Sequence, residues 1–160
     1  MTKQDVILKI MELEGEYSDD PNDPGGETNW GITLPFWREV TGLDDFPVTF
    51  TRADAVLCYE YLWDKTFTSM VSPEMRLCYL AFAVNAGWPR AAKILQTVLG
   101  ESPDGLIGPK TLHALAGSNL EKTYYPFVEA VVRHYFSIPG FTHYGRGWMN
   151  RLTQTLIPKR

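Results

Sequence analysis

Helical periodicity recurs along nearly the whole chain and constrains the fold more than any other feature. Apolar residues lie at helical spacing in eight segments that are separated by short turns: 2–13, 34–40, 51–67, 72–86, 90–99, 109–116, 120–135 and 144–156. Capping boxes, Thr2 with Asp5 and Thr51 with Asp54, mark the starts of two of them. Residues 28–33, TNWGIT, indicate either a short extended piece or the second arm of a small hairpin. The sequence therefore predicts a mainly α fold with a small β-hairpin.

Composition excludes several classes of protein. The chain has 160 residues and a formal net charge of −4, which argues against binding nucleic acid through a basic surface. The N-terminal residues, MTKQDVILKI, do not have the pattern of a signal peptide, and no apolar run is long enough to span a bilayer. We therefore expect a protein that is made in the cytoplasm and does not insert into membranes.

The cysteines and histidines show no catalytic or metal-binding spacing. Cys58 and Cys78 each lie in an apolar helical segment and are expected to be buried thiols. His113, His134 and His143 are widely separated, so no zinc site is predicted. The sequence shows no Ser–His–Asp or Cys–His pattern of catalytic residues. The sequence predicts neither a metal ion nor another cofactor.

A run of negative charge follows the first helical segment. Residues 13–33 hold six acidic residues and no basic residue: Glu14, Glu16, Asp19, Asp20, Asp23 and Glu27. Prolines and glycines between positions 18 and 26 exclude regular structure there. A solvated loop, a cation site and a carboxylate active site would each produce such a run, although Pro24 interrupts the order of ligands that an EF-hand requires.

Glu14 is the candidate general acid in this run. Its place at the end of an apolar helix is expected to raise its pKa, because partial burial and the negative helix C-terminus both disfavour the ionised carboxylate. Asp19, Asp20 and Asp23 lie on a loop that can fold back and supply an ionised partner. One protonated and one ionised carboxyl across a cleft form the arrangement that hydrolyses glycosidic bonds.

Residues 14–33 resemble the opening motif of a known enzyme family. Their sequence, EGEYSDDPNDPGGETNWGIT, is similar to the pattern E-G-G-Y-S-x-D-P-x-D-P-G-G-x-T-x-x-G-I-T of glycoside hydrolase family 108, the phage and bacterial N-acetylmuramidases that cleave peptidoglycan. The resemblance implies that Glu14, the first residue of the motif, is the catalytic glutamate. Glu16 departs from the pattern, since it replaces the second glycine and places another carboxyl near Glu14.

The resemblance extends over most of the chain. Residues 82–115, FAVNAGWPRAAKILQTVLGESPDGLIGPKTLHAL, resemble the family's C-terminal part. That part has a Q-x-x-L-G…D-G-x-I-G-P-x-T pattern, which it shares with peptidoglycan-binding modules. Residues 133–152, RHYFSIPGFTHYGRGWMNRL, resemble the family's closing segment. The family implies a lysozyme-like helical fold with the hairpin near the active-site cleft. We expect a catalytic muramidase part over 1–81 and a C-terminal helical part over 82–160 that resembles a peptidoglycan-binding region. No flexible linker separates them, so they are expected to pack as one globular unit.

Comparison with phage-type lysozymes implies roles for two further residues. In those enzymes an Asp and then a Thr follow the catalytic Glu at similar distances, and here Asp23 and Thr28 lie nine and fourteen residues after Glu14. Asp23 is thus the predicted second carboxylate. Thr28 either orients a water molecule or is an ordinary turn hydroxyl.

Four further residues are predicted to bind substrate: Tyr17, Asp20, Trp30 and Asn85. The aromatic rings of Tyr17 and Trp30 can stack on sugars, although core packing is the competing use of any aromatic side chain. The Asn85 amide can bind an N-acetyl group, or it can cap the end of its helix beside Gly87.

The combined interpretation is a peptidoglycan hydrolase that cleaves the β-1,4 bond between N-acetylmuramic acid and N-acetylglucosamine. The resemblance implies a monomeric, bacteriolytic phage endolysin. Such an enzyme stays in the host cytoplasm until a holin opens the membrane and then acts on the cell wall in the periplasm. Two alternatives are a lytic transglycosylase acting on the same bond and a non-catalytic peptidoglycan-binding or secretion-associated protein with the same fold.

Overall fold

The computed structural model describes residues 1–15, 17–18 and 28–156. Within these ranges the chain forms eight helices and three short strands: α1 (Lys3–Glu14), β1 (Tyr17–Ser18), β2 (Thr28–Asn29), β3 (Ile32–Thr33), α2 (Leu34–Thr41), α3 (Arg52–Lys65), α4 (Arg76–Ala86), α5 (Trp88–Val98), α6 (Pro109–Ala116), α7 (Leu120–Ser137) and α8 (Phe141–Thr155). A 3₁₀ turn, Thr68–Met70, precedes α4. The predicted mainly α fold is confirmed. None of the described helices is both long and apolar enough to cross a membrane.

Side-chain caps explain where two of the helices begin. The Thr2 hydroxyl accepts a bond from the Asp5 N–H, while the Asp5 carboxylate accepts one from the Thr2 N–H. Thr51 and Asp54 form the same reciprocal bonds before α3. Both predicted capping boxes are therefore confirmed. Helices α4 and α8 begin without a side-chain cap, and they start at residues 76 and 141, whereas the sequence predicted starts at 72 and 144.

The β structure is a three-stranded antiparallel sheet in the order β1-β2-β3, where the sequence predicted a single hairpin. Strands β2 and β3 form the tight hairpin: Asn29 pairs with Ile32, so the turn consists of Trp30 and Gly31. Both turn residues have positive φ, 53° and 74°. Positive φ at both central positions is typical of a type I′ turn, whose twist matches that of antiparallel strands.

The chain divides into two compact units, one over residues 2–64 and one that begins at Lys65 and includes Met1. The core of the first unit comes from α1, β3, α2 and α3: Val6, Ile7, Ile10, Met11, Ile32, Trp37, Ala55, Cys58, Tyr59, Leu62 and Trp63. In the second unit α4 packs on α5 and α8, and its residues 77–83 are all buried. The predicted division between residues 81 and 82 falls inside this helix. The packing of the two predicted parts as one globular unit stays a prediction.

The cysteines belong to the core, as predicted. Cys58 on α3 and Cys78 on α4 are buried free thiols. Burial raises the pKa of each thiol to about 12, and the Asp54 carboxylate adds to the effect at Cys58. Thiols that stay protonated at neutral pH are poor nucleophiles and poor metal ligands. Within the described ranges, no group of three or more His, Cys, Asp or Glu side chains could hold a metal ion.

Candidate active site

Glu14 lies at the end of α1. It is the last residue of the helix, and its side chain is half-buried. Gly15 ends the helix with a φ of 77°, and its N–H donates to the Met11 carbonyl oxygen at 3.2 Å. The last turn of α1, which the structure describes completely, contains no basic residue. The helix end and the partial burial that the sequence predicted for Glu14 are therefore both present.

Gly31 of the hairpin turn lies directly against Glu14. A Cβ atom at position 31 would be 2.8 Å from both the Cβ and the Cγ of Glu14, and 2.9 Å from the hydroxyl oxygen of Tyr59. Carbon atoms that are not bonded to each other do not approach so closely, so a side chain at position 31 does not fit. The backbone of the turn thus packs against the base of the Glu14 side chain, which requires glycine there.

Tyr59 holds the same turn from α3. Its hydroxyl donates to the Trp30 carbonyl oxygen at 2.7 Å, and its side chain is fully buried. The bond supports a strained position, because the left-handed conformation of Trp30 costs a residue with a Cβ about 1–2 kcal/mol. Helix α1, the turn and α3 therefore meet at the base of the Glu14 side chain and restrain it.

The sequence interpretation missed Tyr59. This residue is separated by 29 positions from Trp30, its hydrogen-bonding partner. Its one signal in the sequence is a place on the buried face of α3, which other core aromatic residues share. The glycine of the turn was part of the recognised motif, but its contact with Glu14 is visible only in three dimensions.

The acidic loop is described only at its two ends. Asp20 and Asp23 lie outside the described residues, and so does the side chain of Tyr17. Ser18 pairs with Thr28 across β1 and β2, so the chain leaves and re-enters the sheet at neighbouring positions on either side of the loop. The sheet whose turn contacts Glu14 therefore also anchors both ends of the acidic segment.

Thr28 and Trp30 are both half-buried. Thr28 lies in β2, opposite Ser18 on one side and Thr33 on the other. It is therefore not the turn hydroxyl that the sequence left open as an alternative. Trp30 lies in the hairpin turn, where Tyr59 holds its carbonyl group. The roles of Thr28 in orienting water and of Trp30 in binding sugar stay predictions.

Asn85 lies near the end of α4, in the second unit. Its Nδ2 donates to the Ala81 carbonyl oxygen at 2.8 Å, and its Oδ1 accepts a bond from the Arg151 guanidinium of α8. Gly87 ends the helix with a φ of 82°. The amide therefore joins α4 to α8, and its binding of an N-acetyl group stays a prediction. Arg151 lies in the closing segment RHYFSIPGFTHYGRGWMNRL, and the sequence did not indicate that it pairs with Asn85.

Comparison with known proteins assigns this arrangement to a family. The sequence profile described as Glycosyl hydrolase 108 matches residues 7–87, which include the end of α1, the sheet and helices α2 to α4. The chain belongs to glycosyl hydrolase family 108. It is therefore a peptidoglycan-degrading glycoside hydrolase of the N-acetylmuramidase type. Glu14, Gly31 and Tyr59 all lie within the matched region of this family 108 enzyme.

The family 108 enzyme is also similar to a solved structure, that of SagA from Brucella abortus. The two share 29% sequence identity with a TM-score of 0.88, over 96% of this chain and 90% of that chain. Comparison with curated proteins gives no significant match. The predicted lysozyme-like helical architecture is confirmed.

The Q-x-x-L-G…D-G-x-I-G-P-x-T pattern lies beyond the matched region and has a structural role in this family 108 enzyme. Gln96 is buried on α5, and its Oε1 accepts a bond from the Gly105 N–H at 2.8 Å. Its Nε2 donates to the Asp104 carboxylate at 2.7 Å and to the Leu106 carbonyl oxygen at 2.9 Å. A bond from the Leu106 N–H and the bond from Gln96 lower the pKa of Asp104. These side chains are therefore used to hold the loop between α5 and α6.

Replacement of Gln96 by Leu is expected to lower the free energy of unfolding by about 2–3 kcal/mol, because the buried Gly105 N–H and the Leu106 carbonyl lose their partner. Urea unfolding followed by circular dichroism measures the change. Thr97→Ala is the control, since Thr97 is exposed on the same helix and bonds to the Lys93 carbonyl of its own helix; its effect is expected to stay within about 0.5 kcal/mol. If Gln96→Leu is as stable as the wild type and fails to bind peptidoglycan, Gln96 contacts ligand instead.

Proposed function

We propose that this family 108 enzyme is a phage endolysin that hydrolyses the β-1,4 bond between N-acetylmuramic acid and N-acetylglucosamine, with Glu14 as general acid. The observation that carries the proposal is the contact between Glu14 and the hairpin turn. The turn restrains the side chain at a helix end, and the same sheet anchors both ends of the acidic segment. A general acid beside a segment rich in aspartates has the two carboxyl groups that glycoside hydrolysis requires.

The chemical roles follow from the two kinds of carboxyl group. Glu14, in its protonated form, donates a proton to the leaving glycosidic oxygen as the bond breaks. An ionised aspartate, which we assign to Asp23, assists the attacking water or stabilises the positive charge that develops on the sugar. Thr28 on β2 is proposed to orient that water. The reaction needs no cofactor in this scheme.

Digestion of purified peptidoglycan tests the reaction. The released muropeptides are separated and weighed by mass spectrometry, before and after reduction with borohydride. Hydrolysis leaves a reducing N-acetylmuramic acid end that borohydride modifies. A lytic transglycosylase would leave an anhydro end that is lighter by one water and resists reduction. If no fragments are released, the protein is a non-catalytic peptidoglycan-binding or secretion-associated protein.

An endolysin must also reach the cell wall. We propose that the monomeric enzyme accumulates in the host cytoplasm and reaches the periplasm when a holin opens the inner membrane. Expression in a bacterial host, with and without a co-expressed holin, tests this role by turbidity. Rapid lysis is expected only with the holin. Equally rapid lysis without it would show that the enzyme reaches the wall by another route.

Replacement of Asp23 by Asn is expected to reduce the rate of peptidoglycan cleavage by about 10²-fold, the scale of a lost acid–base partner. The reason is its spacing from Glu14, which matches the second carboxylate of phage-type lysozymes. Asp19→Asn and Asp20→Asn make the same chemical change nearby and are the controls, with initial rates measured on one batch of peptidoglycan. A crippled Asp19→Asn or Asp20→Asn enzyme together with a mild Asp23→Asn effect would assign the second carboxylate to the other aspartate.

A further inference from the structure

A pocket in the second unit has the chemistry of an anion site. It is open to solvent, has a volume of about 270 Å³ and is lined by residues of α4, α5, α7 and α8 and of the segment between α7 and α8: Asn85, Ala86, Arg90, His134, Tyr135, Ile138 and Trp148. None of these lining residues is acidic. The volume is close to the lower end of the range for small-ligand pockets, about 300–1,000 Å³. A single charged group with a small apolar neighbour fits such a space.

Three side-chain donors that line this pocket have no hydrogen-bonding partner among the described residues. Within the described part of the chain, the side chains of Arg90, His134 and Trp148 form no hydrogen bond and no salt bridge. The Asn85 oxygen, which could otherwise accept a bond, is held by Arg151. An exposed guanidinium and an indole N–H that donate to no described residue of the protein are available to a ligand that supplies acceptor oxygens.

Arg90 carries the charge of the pocket. Burial, together with the nearby positive charge of Arg90, lowers the pKa of His134, so this imidazole is neutral near pH 7. A neutral imidazole still has one N–H to donate. The planar guanidinium of Arg90 can bind two oxygens of a carboxylate or of a phosphate at once. Of these two anions, carboxylate is the one that the peptides of peptidoglycan carry.

The aromatic rings at this pocket already contact each other. The rings of Tyr135 and Trp148 are stacked, with centroids 5.6 Å apart and planes inclined by 25°. The Tyr144 ring lies 6.0 Å from Trp148, inclined by 30°. Because protein rings occupy the environment of Trp148, the stacking of a sugar on its face is disfavoured. Ala86 and Ile138 instead offer small apolar surfaces suited to methyl groups.

We propose that this pocket binds a free carboxylate of the stem peptide of peptidoglycan, with Arg90 as its anchor. Stem peptides combine carboxylates with small aliphatic side chains, which is the combination that the wall of the pocket accommodates. The proposal deepens the function proposed above, because it assigns to this chain a binding site for the peptide in addition to its action on the glycan.

Titration of the full-length protein with a soluble peptide tests the proposal. The probe is a synthetic stem tripeptide with free carboxylates, and the readout is the ¹⁵N-labelled indole N–H signal of Trp148, assigned with a Trp148→Phe variant. The acidic peptide is expected to shift this signal. The same peptide with amidated carboxylates is expected to bind at least about 10-fold more weakly, because it loses a charge-assisted hydrogen bond.

Two arginine variants separate the pocket from the general charge of the protein. Arg90→Gln is expected to weaken binding of the acidic peptide by about 10-fold or more. Arg146→Gln removes the same charge from another exposed arginine, on α8, which does not line the pocket, and this variant is expected to bind as the wild type does. Equal binding by Arg90→Gln, equal binding of the amidated peptide, or no binding by the wild type would overturn the proposal.

A variant of the proposed general acid separates binding of the peptide from cleavage of the glycan. Glu14→Gln is expected to bind the acidic peptide with unchanged affinity, since Glu14 does not line the pocket. The peptide titration can therefore be interpreted even if the enzyme does not cut peptidoglycan. If N-acetylglucosamine oligomers shift the Trp148 signal and the acidic peptide does not, the pocket is a sugar site and the proposal is wrong.

Discussion

Replacement of Glu14 by Gln is expected to reduce the rate of peptidoglycan cleavage by about 10²-fold or more while the fold is retained. Glutamine has nearly the same shape as glutamate, so its contacts with the hairpin turn can persist. An amide, however, does not deliver a proton to the leaving oxygen. The measurement is the initial rate of release of reducing ends from purified peptidoglycan, with the melting temperature recorded for each protein.

Glu12→Gln is the matched control for this prediction. Glu12 is an exposed residue of the same helix, and its carboxylate pairs with Lys9 at 3.0 Å on the surface. The chemical change is identical, but an exposed ion pair contributes little to stability. Activity close to that of the wild type is expected. A folded Glu14→Gln enzyme that is as active as Glu12→Gln would show that another group donates the proton.

Local signals explain why the sequence predicted the fold so well. Helix α1 begins at a reciprocal cap formed by Thr2 and Asp5, and α6 begins at Pro109, a residue whose fixed φ suits the first turn. Each of these signals lies within four residues of the boundary that it marks. The starts of α4 and α8 have no side-chain cap, and there the prediction was wrong by several residues.

The candidate site was predictable only in part, for the same reason. Glu14 was found because a helix end and an acidic run are adjacent in the sequence. The bond from Tyr59 to the Trp30 carbonyl joins residues 29 positions apart, and no local pattern encodes such a pairing. The link between Asn85 and Arg151 spans 66 positions and was missed in the same way. The sequence thus identified the candidate acid, whereas these long-range hydrogen bonds were visible only in the structure.

Replacement of Gly31 by Ala is expected to reduce the rate of peptidoglycan cleavage by about 10²-fold, because Gly31 helps to position Glu14. The new Cβ would lie 2.8 Å from the Cβ and Cγ of Glu14, atoms near the backbone that have little freedom to move aside. The turn, α1 or both must shift, and a displacement of about 1 Å at a catalytic group can cost about 10²-fold in rate. The measurement is again the initial rate on purified peptidoglycan.

Gly42→Ala separates this contact from the strain of the backbone. Gly42, which ends α2, has a φ of 73°, almost the same as the 74° of Gly31, but a Cβ there would meet nothing within 4 Å. Gly42→Ala should lose about 1–2 kcal/mol of stability, because alanine is strained in the left-handed region. Gly31→Ala should lose at least that much, because it has the clash with Glu14 and Tyr59 in addition to the strain. Only Gly31→Ala should lose activity in proportion to the displacement of Glu14. If both variants retain the wild-type rate, the contact between the turn and Glu14 does not position the acid, and the carboxylate must be oriented by other groups.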